Sequence, residues 1–276
     1  MKKLIAAAVF GLAGLAAFAG TCTITRISLV NTDGTHDTFA GQLDNSSGVN
    51  ILQHNFLVSF LDSGNNVVET KTVAGCTRSI QDGTSGFFSA TSSRPASETN
   101  VGLARIAFDS AFKVGTVAAG DISLSGITVT RTGDTLVVTG TIKNNDGDTL
   151  VDVRACIVVR DSGDNVLITG ADSTIADLAE DATDTFSVTI TVPDDDTADS
   201  VDVWVDGLDG SSSDPPVAPA SDLNNSVGVC TATSTPTKTP TNSPTATGTP
   251  PTATPTGTPT STSTSTSTPV ATNTPC

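Results

Sequence analysis

The sequence predicts an all-β protein: two tandem antiparallel β-sandwiches, followed by a disordered tail rich in Thr and Pro. Three observations predict this fold: an internal repeat, segments in which apolar and polar residues alternate, and acidic residues that are almost all Asp. Only three of the 29 acidic residues are Glu. Because Asp is unfavourable inside helices and common in turns, this bias favours short strands joined by tight turns.

The internal repeat lies in the middle of the chain. Residues 41–70 match residues 140–169 without a gap, at an offset of 99 residues. The matched positions include Asn45 on Asn144 and Asp62 on Asp161, and the same offset places Phe87 on Phe186. A repeat of this length indicates two copies of one structural module. We therefore expect β-sandwich 1 over 20–109, a linker over 110–121, β-sandwich 2 over 122–208 and a connecting segment over 209–230.

Alternation of apolar and polar residues predicts the strands within each module. Val153, Ala155, Ile157 and Val159 share one face of a strand over 151–160, which is typical of a half-buried antiparallel strand. Six or seven such strands with Asp-rich and Gly-rich turns indicate an immunoglobulin-like sandwich. The predicted strands are 23–30, 37–45, 50–61, 66–73, 85–91 and 101–108, then 124–130, 136–141, 151–160, 165–170, 183–191 and 200–206.

The two ends of the chain predict export and display. Two lysines precede an apolar run over 4–18, so residues 1–19 are interpreted as a secretory signal peptide. A membrane anchor would need a longer apolar segment than 4–18. Lipidation at Cys22 would need a closer match to the lipoprotein motif in the residues that precede it. After signal cleavage no membrane span is expected. Residues 231–276 repeat Thr-Pro units and form the predicted stalk, either bare or carrying O-linked sugar.

The second module resembles an FxLYD-type domain, a small immunoglobulin-like extracytoplasmic β-sandwich of prokaryotes. The resemblance rests on the stretch 138–145, the strand ending in Asp161, the turn at Gly163 and Phe186. The motif that names the family is degenerate here, since 157–161 keeps only its terminal Asp and its apolar positions. The resemblance implies a tandem of such domains with a structural or binding role outside the cell, and it brings no catalytic residues.

Five cysteines in an exported chain predict disulfide bonds. Pairing each module with its own cysteines gives Cys22–Cys76 and Cys156–Cys230, each stabilising by roughly 4 kcal/mol in the chain-entropy model. Other pairings remain open. Cys276 is left over as a free thiol, an intermolecular link or the mark of a truncated reading frame.

The candidate site residues are few. His54 is predicted on the inward face of its strand together with Phe56, Val58 and Phe60, and His36 lies in a turn, so we expect neither histidine to bind zinc. Trp204 falls on the outward face of its strand, where it contacts a partner or covers a neighbouring segment such as the first module. Turn carboxylates are weak candidates for a calcium site. These are Asp146, Asp148, Asp161, Asp164, Asp194, Asp195 and Asp196.

The composition of the sequence and its lack of recognised catalytic motifs limit the classes of function that we expect for this chain. With 13 basic and 29 acidic residues the net charge is −16, which disfavours nucleic acid and anionic membranes as partners. We expect no cofactor and no enzyme, but a secreted or cell-surface protein of a prokaryote that binds a protein or a glycan. The alternatives are a self-associating spacer of the cell envelope or S-layer type, and a non-catalytic part of a larger exported enzyme.

Overall fold

The protein is all-β, as predicted. The computed structural model describes residues 9–10, 21–31, 36–52, 54–95, 104–108, 113–118, 120–172, 175–192, 198–210 and 216–227. Seventeen strands form antiparallel sheets in this part of the chain, and all described residues belong to one compact unit. In those ranges no helix is long and apolar enough to cross a membrane.

The first half of the chain, strands β1 to β10, contains two larger sheets and one small one. The larger sheets have the orders β1-β2-β3-β8 and β6-β5-β9, and the small sheet has the order β10-β4-β7. The strands are β1 Val9–Phe10, β2 Thr21–Asn31, β3 His36–Ser46, β4 Ile51–Leu52, β5 Asn55–Leu61, β6 Val67–Ala74, β7 Ser79–Ile80, β8 Ser85–Pro95, β9 Ala104–Phe108 and β10 Lys113–Val114.

The second half, strands β11 to β17, contains two sheets with the orders β11-β12-β15 and β14-β13-β16-β17. Strand β17 and strands β7 and β10 of the small sheet were not predicted, because their segments are short or polar and lack clear alternation. The predicted strand 50–61 is divided between β4 and β5, which belong to different sheets. The strands are β11 Ile122–Thr132, β12 Thr135–Asn144, β13 Leu150–Asp161, β14 Val166–Asp172, β15 Thr183–Thr191, β16 Ala198–Asp209 and β17 Ala220–Ser226.

Each half has its own apolar core. The core of the first half is aromatic, and the predicted inward residues Phe56, Val58 and Phe60 are all buried in it. The Phe56 ring stacks on Phe88 with 4.3 Å between the ring centroids. The core of the second half is almost entirely aliphatic. Because apolar faces are buried within each half, the halves can meet through their outward sheet faces.

Two matched side-chain motifs show that the sequence repeat is also a structural repeat. Asn45 and Asn144 are both buried, and the Nδ2 group of each donates to the carbonyl four residues ahead, at 2.8 Å in both cases. Asp62 and Asp161 each accept hydrogen bonds from the backbone N–H groups two and four residues ahead. The repeat therefore encodes the loop after β3 or β12 and the tight turn after β5 or β13.

The predicted match of Phe87 to Phe186 is wrong by one residue. In the sheets, Gly41 pairs with Phe88 whereas Gly140 pairs with Phe186, so Phe88 is the structural equivalent of Phe186. The chain between β5 and β8 is one residue longer than its counterpart between β13 and β15, which changes the offset from 99 to 98. Phe87 consequently lies on the outward face of its strand, where it takes part in the contact between the halves.

Several sequence predictions concern residues that are not described. The predicted signal peptide, apart from strand β1, and the predicted stalk over 231–276 lie outside the described residues. Cys230, Cys276, Asp194, Asp195 and Asp196 also lie outside them.

Candidate functional site

The two halves pack sheet against sheet. The outward face of β2-β3-β8 covers the outward face of β14-β13-β16, and a separate apolar cluster lies between them. Its members are Ala40, Cys76, Phe87, Cys156, Val158, Val166 and Trp204. The Phe87 ring lies 5.4 Å from that of Trp204, measured between centroids. Trp204 thus lies on the outward face of β16, as predicted, and packs on the first half of its own chain.

The disulfide bond joins the halves, which corrects the predicted pairing. Cys76 is bonded to Cys156, with 5.5 Å between their Cα atoms and 80 residues of separation. Cys22 is a free, buried cysteine in the core of the first half, and so the expected Cys22–Cys76 and Cys156–Cys230 pairs do not form. The prediction failed because it assumed two independent modules, whereas Cys76 and Cys156 both lie in the surface that the halves share.

Arg160 crosses this contact and is buried. Its Nε donates to Asp202 at 2.5 Å, and its Nη2 donates to the Gln42 side chain of the first half at 3.2 Å. The guanidinium also lies over the Phe87 ring, 5.2 Å from the centroid. A buried charge needs this full set of partners, so Arg160 fixes how the two faces fit together.

A second buried charge cluster surrounds Asp206, whose exposure is 1%. Its carboxylate accepts hydrogen bonds from the Arg78 backbone N–H at 2.5 Å and from the Arg78 guanidinium at 3.0 Å. Arg154 lies 3.7 Å from the same carboxylate. Burial raises the pKa of Asp206, and the two guanidinium groups and the Arg78 hydrogen bonds oppose that rise. This cluster again joins the first half to the second.

His54 is a packed core histidine, as predicted. It is 2% exposed, its ring meets Phe56 edge to face, and neither ring nitrogen has a protein hydrogen-bond partner. A Cβ at Gly75 would lie 1.8 Å from His54 Nε2, so only glycine fits there. Burial, and secondarily the positive charge of Arg154, lowers the pKa of His54 from 6.5 to about 4.

The buried histidine makes folding sensitive to acid. The unfolded chain binds a proton at His54 near pH 6.5, whereas the folded chain binds it only near pH 4. The contribution of neutral, buried His54 to the unfolding free energy is therefore complete above pH 6.5, and it declines as the pH falls towards 4. From pH 7.5 to 4.5 the wild type should lose roughly 2 to 3 kcal/mol more unfolding free energy than His54→Val. Urea unfolding at both pH values measures this, and parallel pH profiles would contradict it. Valine suits the position because the repeat places Val153 there.

The calcium candidates that are described do not form a metal site. Asp161 holds the turn after β13, and Asp164 forms ion pairs with Arg160 and Arg26. Asp146 and Asp148 lie in the loop closed by Asn144. Over the described ranges, no three or more His, Cys, Asp or Glu side chains come together in a way that could hold a metal ion.

One of the sheet faces that are open to solvent carries almost only hydroxyl groups. This hydroxyl face is the outward side of β11-β12-β15, where every outward position is Ser or Thr except Val137, Lys143 and Gly126. Its hydroxyl residues are Ser123, Ser125, Thr128, Thr130, Thr132, Thr135, Thr139, Thr141, Thr183, Thr185, Ser187, Thr189 and Thr191. Sequence reasoning missed this face, although the alternation of Thr with apolar residues in all three strands could have revealed it.

The strand registers align these hydroxyls in rows across the sheet. One row joins Ser125, Thr141 and Thr185, and the next joins Thr128, Thr139 and Ser187. Neighbouring strands are about 4.8 Å apart and successive outward residues about 6.7 Å apart along a strand. A β-bulge around Gly126, which has φ 62°, interrupts the edge strand beside these rows.

An open groove of about 490 Å³ lies at the centre of the hydroxyl face. It is lined by Gly126, Thr139, Gly140, Thr141, Asp172, Thr185, Phe186 and Ser187. Asp172 belongs to the neighbouring sheet, and its Oδ2 accepts the Ser187 backbone N–H at 3.1 Å. The groove therefore combines a set of hydroxyl groups with one oriented carboxylate, all of which can hydrogen-bond a polar ligand.

Comparison with known proteins gives no family. No family model matches the chain, and no curated protein matches it. It is similar to red sea bream transglutaminase, with 11% identity and a TM-score of 0.25 over 72% of this chain and 31% of that one. It is also similar to Bacteroides uniformis beta-glucuronidase, with 11% identity and a TM-score of 0.27 over 70% and 27%. The chain spans less than a third of each of these proteins, and similarity this low indicates no activity.

Proposed function

We infer that this chain is a non-enzymatic secreted or cell-surface protein that binds or adheres through its hydroxyl face. The observation that carries this inference is the composition of that face. In a chain with a net charge of −16, the outward positions of β11-β12-β15 hold a single charged residue, Lys143, which pairs with Asp181 at 2.8 Å. On an acidic protein, a neutral and ordered array of hydroxyls is better suited to contacting a ligand or partner than to keeping the protein soluble.

The rest of the molecule supports such a role. The disulfide bond and the buried charges of Arg160 and Asp206 fix the two halves together, so the hydroxyl face is presented on a preorganised support. The Thr/Pro segment over 231–276 would serve as the stalk that holds this support away from its attachment point. The resemblance to FxLYD-type domains implies the same kind of role.

The test is retention of the full chain on insoluble surfaces, using whole cells, envelope fragments, insoluble polysaccharides and protein-coated beads. The double variant Thr139→Arg/Thr141→Arg covers the centre of the hydroxyl face with long side chains and should lower retention at least tenfold. The matched control is Ser59→Arg/Thr70→Arg, which adds the same charge to the outward face of β5 and β6. Equal loss in both variants, or release of soluble product from any polysaccharide, would overturn the inference.

A further inference from the structure

The groove in the hydroxyl face has a structural counterpart in the first half of the chain, and the fold shows what covers that counterpart. By the repeat, β12 and β15 correspond to β3 and β8, and the outward face of β3 and β8 is covered by the second half of the chain. Gln42 pairs with Phe87 there, and Thr141 pairs with Thr185 in the groove. The same surface therefore occurs twice in this protein, once covered and once open.

The two copies of that surface differ at the positions that make contact. Where the first half places Ala40 and Phe87 against its neighbour, the second half places Thr139 and Thr185. Apolar side chains drive sheet-on-sheet packing because they leave water, and Thr hydroxyls lose that advantage. The open copy is thus unsuited to another β-sandwich of the same kind. Replacement of a Phe by Thr185 also leaves the space that forms the groove.

On this basis we propose that the groove lined by Thr139, Thr141, Thr185, Ser187 and Asp172 binds a neutral polysaccharide strand. This proposal rests on the proposed function and names its ligand class. The Ser and Thr hydroxyls can donate hydrogen bonds to sugar hydroxyls and accept them, and the fixed carboxylate of Asp172 can accept them. Hydroxyl groups are what a neutral glycan presents to a binding site. The Asp172 carboxylate and the net charge of −16 disfavour an anionic ligand. The open shape and the rows of hydroxyls on both sides suit a long chain that continues past the groove.

The decisive variant is Thr185→Phe, which restores the residue that the first half uses at this position and fills the groove. Its matched control is Thr70→Phe, the same change at an exposed position on the outward face of β6, which lies outside the hydroxyl face and its groove. Both positions are exposed, so both variants should fold. A smaller change, Ser187→Ala, removes one hydroxyl and should weaken binding roughly fivefold, the effect of one hydrogen bond.

The experiment titrates the full chain with neutral oligosaccharides from glucan, mannan and galactan, and with oligogalacturonate as the anionic probe. We expect saturable binding to at least one neutral series, a loss of at least tenfold in Thr185→Phe, and wild-type affinity in Thr70→Phe. Equal affinity for the anionic probe, or full binding by Thr185→Phe, would overturn the proposal. So would dimers in sedimentation that Thr185→Phe abolishes, because the groove would then bind a second copy. If no oligosaccharide binds while the chain is still retained on envelope fragments, only the ligand class is wrong and the binding function stands.

Discussion

Reduction of the protein should lower its unfolding free energy by about 4 to 5 kcal/mol. The Cys76–Cys156 bond closes a loop across 80 residues, and in the chain-entropy model a loop of this size restricts the unfolded chain by that amount. The bond also joins two separately packed cores, so its loss weakens the contact between the halves. Urea unfolding with and without dithiothreitol measures the effect.

The control for this experiment separates the disulfide from the other cysteines. The double variant Cys76→Ala/Cys156→Ala should have the lower stability and should no longer respond to dithiothreitol. Cys22→Ala should keep the full response, since Cys22 is free in the core of the first half. A non-reducing peptide map that joins Cys22 to Cys76 would contradict the structure, as would an unchanged midpoint after reduction.

Replacing Asp206 with Ala should cost about 3 to 5 kcal/mol of stability. The carboxylate is 1% exposed and faces Arg78 and Arg154 across the contact between the halves. Without it, two guanidinium groups stay in or near the contact with no counter-charge, and an uncompensated buried charge is strongly destabilising. Thermal and urea unfolding of the variant at neutral pH measure the cost.

The matched control for Asp206 is another aspartate in an ion pair at the same contact. Asp164 pairs with Arg160 at 3.2 Å, but its side chain is 50% exposed. Asp164→Asn should therefore cost less than about 1 kcal/mol. Asn also tolerates the positive φ of 63° at this position, where the repeat has Asn65 with φ 65°. Equal costs for the two variants would show that the Asp206 cluster does not hold the halves together.

Much of the fold could be predicted because alternation and turn chemistry are local signals. His54, Phe56, Val58 and Phe60 were placed on the inward face, and Trp204 on the outward face, and the structure confirms these placements. The Asp62 and Asp161 turns could be read from the spacing of their Gly and Asn residues. The resemblance to FxLYD-type domains stays a prediction.

The contact between the halves could not be predicted, because it depends on which outward faces meet. Arg160, Asp202 and Asp206 occupy positions that in a single sandwich would face solvent, so their burial has no local signature. The cysteine pairing failed for the same reason. A one-residue change in offset placed Phe87 on the outward face instead of in the core, and no ungapped comparison of the two copies reveals it.

The position of the disulfide bond determines how the molecule responds to a pull on its two ends. Tension that reaches Cys76 passes through the sulfur atoms to Cys156, so the polypeptide between them carries none of it. Strands β11 and β12, which supply two thirds of the hydroxyl rows, lie inside this slack loop. A load transmitted along the chain would therefore enter the hydroxyl face through β15, the strand of that face that lies outside the loop.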